Sequence, residues 1–204
     1  MRRHGWSGDI PGDDDEAAGR IIGAARQAID ARGTVSVSEV AQTLGVTRQT
    51  IYRYFPTLES LMVATAVSSV DGFLDRLAAE LGTITDPGEA VVEGIAYTTE
   101  QIPHDRYLSL VVQPGKASAF TAGVTSDLAI EFGKSILQRF DIDWPAEGFD
   151  GDAFDQLVEF MLRTLQSFII DPGGPSRHGS GLRTYLRDWV APAVTAHATP
   201  VAPR

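Results

Sequence analysis

Apolar residues recur along this chain every three or four positions, and no long stretch alternates between apolar and polar residues. The first spacing is typical of an α-helix and the second of a β-strand, so the pattern predicts an all-α protein. A loop is predicted over residues 142–151. The predicted helices cover residues 13–32, 37–44, 48–54, 57–81, 88–101, 104–113, 118–141, 152–170 and 179–196.

Residues typical of helix ends stand at several of these borders. Ser36, Thr47 and Thr57 each have a side-chain oxygen that accepts a hydrogen bond from a backbone N–H group in the first helical turn. Gly33 and Gly45 stand where the chain has to leave a helix in a left-handed conformation. These positions predict two short helices between two long ones.

Two predicted helices in the last third of the chain, 152–170 and 179–196, have broad apolar faces. The sequence DPGGPSRHGSG between them is rich in Gly and Pro, so it interrupts the helix and predicts a hairpin. The apolar faces are too broad for one chain to cover in a thin bundle. We therefore predict a homodimer that forms through residues 152–196.

The stretch VSEVAQTLGVTRQTIYRYF, residues 37–55, has the spacing of a helix-turn-helix. Val40 and Ile51 are apolar where two such helices meet, and Gly45 stands at the turn. The second helix then presents polar side chains that are able to bind base edges or phosphates in a DNA groove. The pattern alone is equally consistent with a helical hairpin that has a solvated polar face.

The uneven charge of the chain limits where nucleic acid is able to bind. The 204 residues carry a formal net charge of −10, and a strongly acidic protein repels nucleic acid. Residues 1–60 contain seven arginines and eight acidic residues, whereas the rest of the chain has a net charge of −9. Any contact with DNA is therefore expected on the nearly neutral first part.

Several kinds of chemistry have no support in the sequence. The chain has no cysteine, and its four histidines lack the spacing of metal ligands. The aspartate-rich segment from Asp141 fails the calcium-loop template, because Ala146 stands where that loop requires glycine. We expect no enzyme activity, no cofactor and no metal site. The chain also lacks an apolar run long enough to span a membrane and a secretory signal, so a cytoplasmic location is expected.

Residues 20–66 resemble the DNA-binding domain of the tetracycline-repressor (TetR) family. The most specific part is GVTRQTIYRYFPTLESL, in which a glycine turn precedes a short recognition helix with an aromatic-rich end and a further helix that opens with Glu and Leu. The resemblance implies a three-helix helix-turn-helix DNA-binding domain over residues 1–60, while the glycine-rich composition of residues 1–12 predicts a mobile arm at its start. It implies that residues 61–204 form a helical bundle for effector binding and dimerisation.

The resemblance also implies roles for the residues of the recognition helix. Residues 47–50 are expected to face the DNA, while Tyr52 and Tyr54 are expected near backbone phosphates. Gln49 replaces a residue that is often small in the family, which makes it a candidate for reading adenine. Leu58 stands where a lysine commonly contacts a phosphate, so that contact is missing here. The predicted DNA-binding residues are Thr47, Arg48, Gln49, Thr50, Tyr52, Arg53 and Tyr54.

The function implied by the resemblance is that of a transcription regulator. The expected protein is a repressor that binds a palindromic double-stranded DNA operator as a homodimer and is released by a small-molecule effector, which is expected to be largely apolar. The alternative is a helical dimer that binds small molecules or acts as an enzyme and does not bind DNA. The predicted effector-binding residues are Phe73, Tyr97, His104, Arg106, Tyr107, Gln113 and Phe160.

Overall fold

The structure, a computed structural model, describes residues 6–112, 123 and 126–198. These residues form eleven α-helices, two 3-10 helices (Trp6–Gly8 and Ile102–His104) and no β-strand, which confirms the predicted all-α class. None of the helices in these ranges is long and apolar enough to span a bilayer. The α-helices are α1 (Asp14–Arg32), α2 (Val37–Leu44), α3 (Arg48–Tyr54), α4 (Leu58–Val67), α5 (Val70–Leu81), α6 (Pro87–Gln101), α7 (Leu108–Val112), α8 (Asp127–Leu137), α9 (Gly151–Ile170), α10 (Gly179–Trp189) and α11 (Ala191–Ala198).

The helices belong to two compact units. The first unit extends to Val70 and contains α1 to α4, and it also includes α7, because the chain returns to this unit at Asp105. The second unit contains α5, α6 and α8 to α11. The predicted domain border after residue 60 falls inside α4, which packs against α1 and α7 within the first unit.

The core of the first unit consists of apolar side chains from five helices. Ile21 of α1, Val40 of α2 and Ile51 of α3 are fully buried. Leu61 of α4 is equally buried, and Leu110 of α7 belongs to the same cluster. Burial of one large aliphatic side chain stabilises a fold by about 1.5–3 kcal/mol, so each of these residues holds its helix in the unit.

The helix ends of the first unit agree with the sequence prediction. The side chains of Ser36, Thr47 and Thr57 each accept a hydrogen bond from the backbone N–H group three residues further along the chain. Gly33 and Gly45 end α1 and α2 with φ of 71° and 66°, in the left-handed region that residues with a Cβ atom rarely adopt. The predicted N-caps and helix stops are therefore confirmed.

The predicted long helix 57–81 is wrong, because the chain forms α4 and α5 with a break between them. The break lies at Ser68 and Ser69, whose hydroxyl groups donate to the carbonyl oxygen of Thr65 at 2.7 and 3.2 Å. Serine hydroxyl groups compete in this way with the backbone hydrogen bonds that continue a helix. The apolar periodicity continues across both serines, so periodicity alone does not reveal the break.

The described part of the predicted mobile arm, residues 6–12, contacts the first unit at its start, although most of its residues are exposed. Trp6 lies against the core of the first unit, and the Ser7 hydroxyl donates to the carbonyl oxygen of Leu44 at 3.4 Å. A Cβ atom on Gly45 would lie only 2.5 Å from Ser7 Oγ, so the glycine permits this close approach. These contacts attach Trp6 and Ser7 to the first unit, and the mobility of the arm stays a prediction; residues 1–5 lie outside the described residues.

Helix α6 is the centre of the second unit, and α8, α9, α10 and α11 all pack against it. Residues 90–98 of α6 are all buried, including Glu93. Arg183 of α10 pairs with this carboxylate, since its Nε lies 2.8 Å from Glu93 Oε2 and its Nη1 lies 2.9 Å from Glu100 Oε1. Because a buried carboxylate is costly without such a partner, these ion pairs favour one orientation of α10 against α6.

Helix α7 begins later than the sequence predicts. The predicted helix 104–113 starts at Leu108, because Asp105 Oδ1 accepts hydrogen bonds from the backbone N–H groups of Tyr107 and Leu108, both at 3.0 Å. An aspartate that binds backbone groups in this way caps a helix instead of continuing one. Residue 113, at the predicted end, lies outside the described residues.

The predicted helix 179–196 is divided into α10 and α11 at Val190. Pro192 accounts for the break, because proline has no backbone N–H group to donate to the preceding turn and its ring clashes with that turn. Both parts still belong to the second unit. The prediction of one continuous helix is therefore wrong, although the helical character of both parts is correct.

The region around α8 agrees with the sequence in part. Helix α8 is the described portion of the predicted helix 118–141, and it ends at Leu137, four residues early. Residues 142–150 contain no helix, as predicted. Trp144 anchors this loop, because its Nε1–H donates to the carbonyl oxygen of Leu137 at 3.0 Å and its ring packs edge-on against Phe149.

Candidate nucleic-acid interface

The turn before α3 and the first turn of α3 are held by local hydrogen bonds. The backbone N–H of Val46 donates to the carbonyl oxygen of Ala41 at 2.9 Å and closes the end of α2 around Gly45. Thr47 Oγ1 accepts a hydrogen bond from the backbone N–H of Thr50 at 3.1 Å and lies 3.0 Å from Thr50 Oγ1. The direction in which α3 leaves the turn is therefore determined by these few residues.

The side chains of α3 and its cap divide between core and solvent. Ile51 is fully buried, and Thr50 and Tyr54 are half-buried. Tyr52 is 46% exposed, which is high for an aromatic side chain. The exposed groups include guanidinium, amide, hydroxyl and phenol groups, which are suited to base edges and phosphates. The exposed residues are Thr47, Arg48, Gln49, Tyr52 and Arg53.

The last turn of α3 meets the first turn of α1 through polar side chains. The Tyr54 hydroxyl donates to Asp14 Oδ1 at 2.9 Å, and Arg53 Nη2 lies 3.5 Å from the same oxygen. Arg53 also donates to the Tyr54 hydroxyl, and its guanidinium carbon lies 4.6 Å from the centre of the Tyr54 ring. Sequence reasoning misses Asp14, because the acidic run at residues 13–16 indicates only the start of a helix.

Two of the predicted effector-binding residues meet inside the second unit. Phe73 of α5 and Tyr97 of α6 are buried with their ring centres 5.7 Å apart, and the ring of Phe132 lies 6.1 Å from that of Phe73. Thr98, the residue after Tyr97 in α6, is fully buried, and its hydroxyl has no hydrogen-bond partner among the described residues. No signal in the sequence distinguishes Thr98 from the other threonines.

Two other predicted effector-binding residues, Arg106 and Tyr107, contact α1 within the first unit. The Tyr107 hydroxyl donates to Asp30 Oδ1 at 2.7 Å, and Arg106 Nη1 donates to the same oxygen at 3.0 Å. The Tyr107 hydroxyl, and then Arg106, lower the pKa of Asp30, because both groups stabilise the ionised carboxylate. Burial, and then the hydrogen bond to Asp30, raise the pKa of Tyr107.

The remaining predicted effector-binding residues do not join either pair. His104 is exposed at the end of the second 3-10 helix, and Phe160 of α9 is 42% exposed. Gln113 lies outside the described residues. Within the second unit, Phe73 and Tyr97 lie together, and the part of all the described candidates in effector binding stays a prediction.

A cavity of about 440 Å³ in the second unit is lined by residues of α8 and α9. None of the predicted effector-binding residues lines this cavity, and its acidic character does not suit a largely apolar molecule. Across the described ranges, no three His, Asp or Glu side chains are arranged to hold a metal ion. The carboxylates that line the cavity belong to Asp127, Glu131, Asp152, Asp155 and Glu159.

Comparison with known proteins identifies relatives of the helix-turn-helix and of most of the chain. Residues 21–65, which include all of α2 and α3, match the family model "Bacterial regulatory proteins, tetR family". Two relatives from Mycobacterium tuberculosis are the "Uncharacterized HTH-type transcriptional regulator MT1294" of strain CDC 1551 / Oshkosh and the "Uncharacterized HTH-type transcriptional regulator Rv1255c" of strain ATCC 25618 / H37Rv. Each is 24% identical over 186 residues, which cover 88% of this chain and 86% of the relative. No solved structure matches the chain significantly.

We expect Asp30→Asn to reduce the pH dependence of unfolding in acid. Folding lowers the pKa of Asp30 from its ordinary value of 3.8, so the ionised carboxylate contributes stability above that pH and loses the contribution as the pH falls through the folded-state pKa. The variant should therefore be less stable than the wild type near neutral pH and lose less stability on acidification. Urea unfolding, followed by circular dichroism from neutral pH down to the acidic pH at which Asp30 becomes protonated, measures both effects.

Tyr107→Phe serves as a second variant, because it removes the largest cause of the lowered pKa and leaves Arg106 in place. Its pH dependence should lie between those of the wild type and Asp30→Asn. If all three proteins lose stability equally on acidification, the contact of Asp30 with Arg106 and Tyr107 does not contribute as described.

Proposed function

As this chain belongs to the TetR family of bacterial regulatory proteins, we propose that it represses transcription by binding a palindromic DNA operator as a homodimer. A small-molecule effector bound to the second unit releases it from the operator. DNA-binding transcription regulation is the part that the family model and the names of the relatives support directly. The repressor mode, the operator symmetry and the effector are parts of the proposal.

The observation that carries the proposal is the division of α3 between one buried apolar residue and an exposed polar face. Ile51 attaches α3 to the core, while Arg48, Gln49 and Tyr52 are exposed next to one another along the helix. A recognition helix in a major groove requires this arrangement, because its N-terminal residues contact base edges and its neighbours contact phosphates. Glutamine pairs bidentately with adenine, and arginine with guanine, so Gln49 and Arg48 are proposed to read the sequence.

Phosphate contacts are proposed for the residues around Arg48 and Gln49. Tyr52 lies further along α3 and has an exposed phenol that is able to donate to a phosphate oxygen. Thr47 and Thr50 lie at the start of the helix, where the proposed contacts involve hydroxyl groups and backbone N–H groups. Phosphate contacts orient the protein on the duplex and carry no information about the base sequence.

The proposed homodimer uses the hairpin of α9 and α10, within residues 152–196. Three large apolar side chains of this hairpin stay exposed in the single chain: Phe160 at 42%, Ile170 at 54% and Trp189 at 72%. Exposed groups of this size favour burial against a second copy. A two-fold dimer presents two copies of α3, and half-sites about 34–36 Å apart along the DNA then require a palindromic operator.

Effector release is proposed to start in the aromatic cluster of Phe73, Tyr97 and Phe132. This cluster is largely apolar, and we propose the buried hydroxyl of Thr98, the residue after Tyr97 in α6, as its polar anchor. Along the chain, α7 of the first unit lies between helices of the second unit, so a change in the second unit reaches α7 through covalent connections. The effector shifts the population towards release only by its higher affinity for the released state.

Replacing Gln49 by Ala tests the proposed base readout. On an operator selected from random duplexes, the variant should lose about 1–3 kcal/mol of binding free energy, and on unrelated DNA it should lose little. Tyr52→Phe is the matched change at a phosphate-contacting residue, and it should weaken binding to both DNAs by the same factor. Fluorescence anisotropy at one salt concentration measures all four affinities. Equal losses for Gln49→Ala on both DNAs, or no loss on either, would show that another residue reads the bases.

Replacing exposed apolar residues by Asp tests the proposed dimer. Phe160→Asp and Trp189→Asp should each convert the dimer to a monomer, because the interface would bury an unpaired charge. Leu128→Asp is the control, since Leu128 is 48% exposed on α8, outside the hairpin, and this variant should stay dimeric. Light scattering at micromolar concentration measures the mass of each protein. A monomeric wild type, or dimeric Phe160→Asp and Trp189→Asp variants, would contradict the proposed interface.

Replacing Thr98 by Val tests the proposed effector site. Val has the same shape and removes the unpaired buried hydroxyl, so the free protein should become more stable by about 1 kcal/mol in urea unfolding. A screen first identifies compounds that release the wild-type protein from its operator. The variant should require a higher concentration of such a compound for the same release. Thr99→Val is the control, because the Thr99 hydroxyl donates to the carbonyl oxygen of Ile95 at 2.7 Å and its loss should not stabilise the protein. Identical behaviour of the two variants would exclude Thr98 as an anchor.

A further inference from the structure

We propose that Asp14 occupies the position of a DNA phosphate at the end of α3 and thereby limits the affinity of the protein for DNA. The inference rests on the proposed function, because it concerns residues that are proposed to contact the DNA backbone. It adds a residue of α1, outside the helix-turn-helix, to those that determine DNA affinity.

The geometry that carries the inference is a carboxylate oxygen that accepts a hydrogen bond from one residue of α3 and forms an ion pair with another. Asp14 Oδ1 accepts the hydroxyl proton of Tyr54 at 2.9 Å and lies 3.5 Å from Arg53 Nη2. Arg53 also donates to the Tyr54 hydroxyl, so the two donors form one connected group around this oxygen. The guanidinium and the phenol are thereby directed at an anion that belongs to the protein itself.

A phosphate oxygen requires the same donors. Carboxylates and phosphates both present charged oxygens that accept hydrogen bonds from guanidinium and phenol groups, and a phenol has only one proton to donate. Asp14 therefore has to leave before a phosphate is bound by Tyr54 and Arg53 together. The negative charge of Asp14 also repels the duplex at this point. Both effects lower the affinity in the same direction.

The expected effect is modest because the contact is open to solvent. The side chains of Arg53 and Asp14 are 68% and 85% exposed, and exposed ion pairs are weakened by water and salt. We expect the removal of the Asp14 charge to tighten DNA binding by about three- to tenfold. This range corresponds to the loss of one exposed ion pair and the gain of one phosphate contact. The gain should be equal for operator and unrelated DNA, because phosphates carry no base sequence.

The test compares Asp14→Asn with Asp15→Asn in the full chain. Asp15 is the next residue of the same first turn, it is exposed, and its side chain has no hydrogen bond or ion pair in the part of the chain that the structure describes. Both variants lose one negative charge from the same helix end, so general electrostatics and the helix dipole change in the same way. Affinity for the selected operator and for unrelated DNA is measured by anisotropy over a series of salt concentrations.

The expected result is tighter binding for Asp14→Asn than for Asp15→Asn. The logarithm of the affinity should also fall more steeply with the logarithm of the salt concentration, by the slope that about one additional phosphate contact contributes. The difference should vanish in a background of Arg53→Ala and Tyr54→Phe, which removes both donors. Equal gains for the two variants, weaker binding of Asp14→Asn, or a difference that persists in that background would each overturn the inference.

Failure of this inference is distinguishable from failure of the proposed function. If the wild-type protein selects no operator and binds no DNA, the proposed function fails. If the wild type selects an operator and loses affinity for it on Gln49→Ala, while Asp14→Asn and Asp15→Asn behave alike, only the role of Asp14 is wrong.

Discussion

The exposed polar face of α3 depends on the burial of one side chain, Ile51. A helix of seven residues does not persist in water by itself, because its nucleation is costly and few hydrogen bonds follow. Helix α3 forms because Ile51 is fully buried in the core shared with α1, α2 and α4, and because Thr47 holds its first turn. The same burial determines which residues of α3 face solvent, since positions next to a buried one project away from the core.

Helix α1 supports the first unit at both of its ends through aspartates. Near its start Asp14 is bound by Arg53 and Tyr54, and near its end Asp30 is bound by Arg106 and Tyr107. Each aspartate thus meets an arginine followed by a tyrosine, one pair in the proposed DNA-binding helix and the other just before α7. Acidic groups in a domain of nearly neutral charge thereby orient basic groups.

In the second unit, buried polar groups differ in whether they have partners. Glu93 is buried in α6, but Arg183 compensates its charge, so the pair contributes to the packing of α10. The hydroxyl of Thr98, five residues further along α6, has no such partner in the part of the chain that the structure describes. Natural interiors rarely leave a polar group unpaired without a role. The contrast explains why the proposed effector site centres on Tyr97 and Thr98 and not on the charged surface between α6 and α10.

The sequence by itself determined the all-α class, the helix-turn-helix and the helix ends at Gly45 and Thr47. These features depend on groups within a few residues of each other, so a short stretch of sequence contains all the information. At Ser68 two local preferences compete, because the apolar periodicity favours a continuous helix and the serine hydroxyl favours a break. The sequence does not show which of the two is stronger. Only the tertiary structure decided that Asp14 meets Tyr54, forty positions away, and that α7 belongs to the first unit. Such contacts depend on how helices pack together, and the periodicity of each helix does not specify its neighbours.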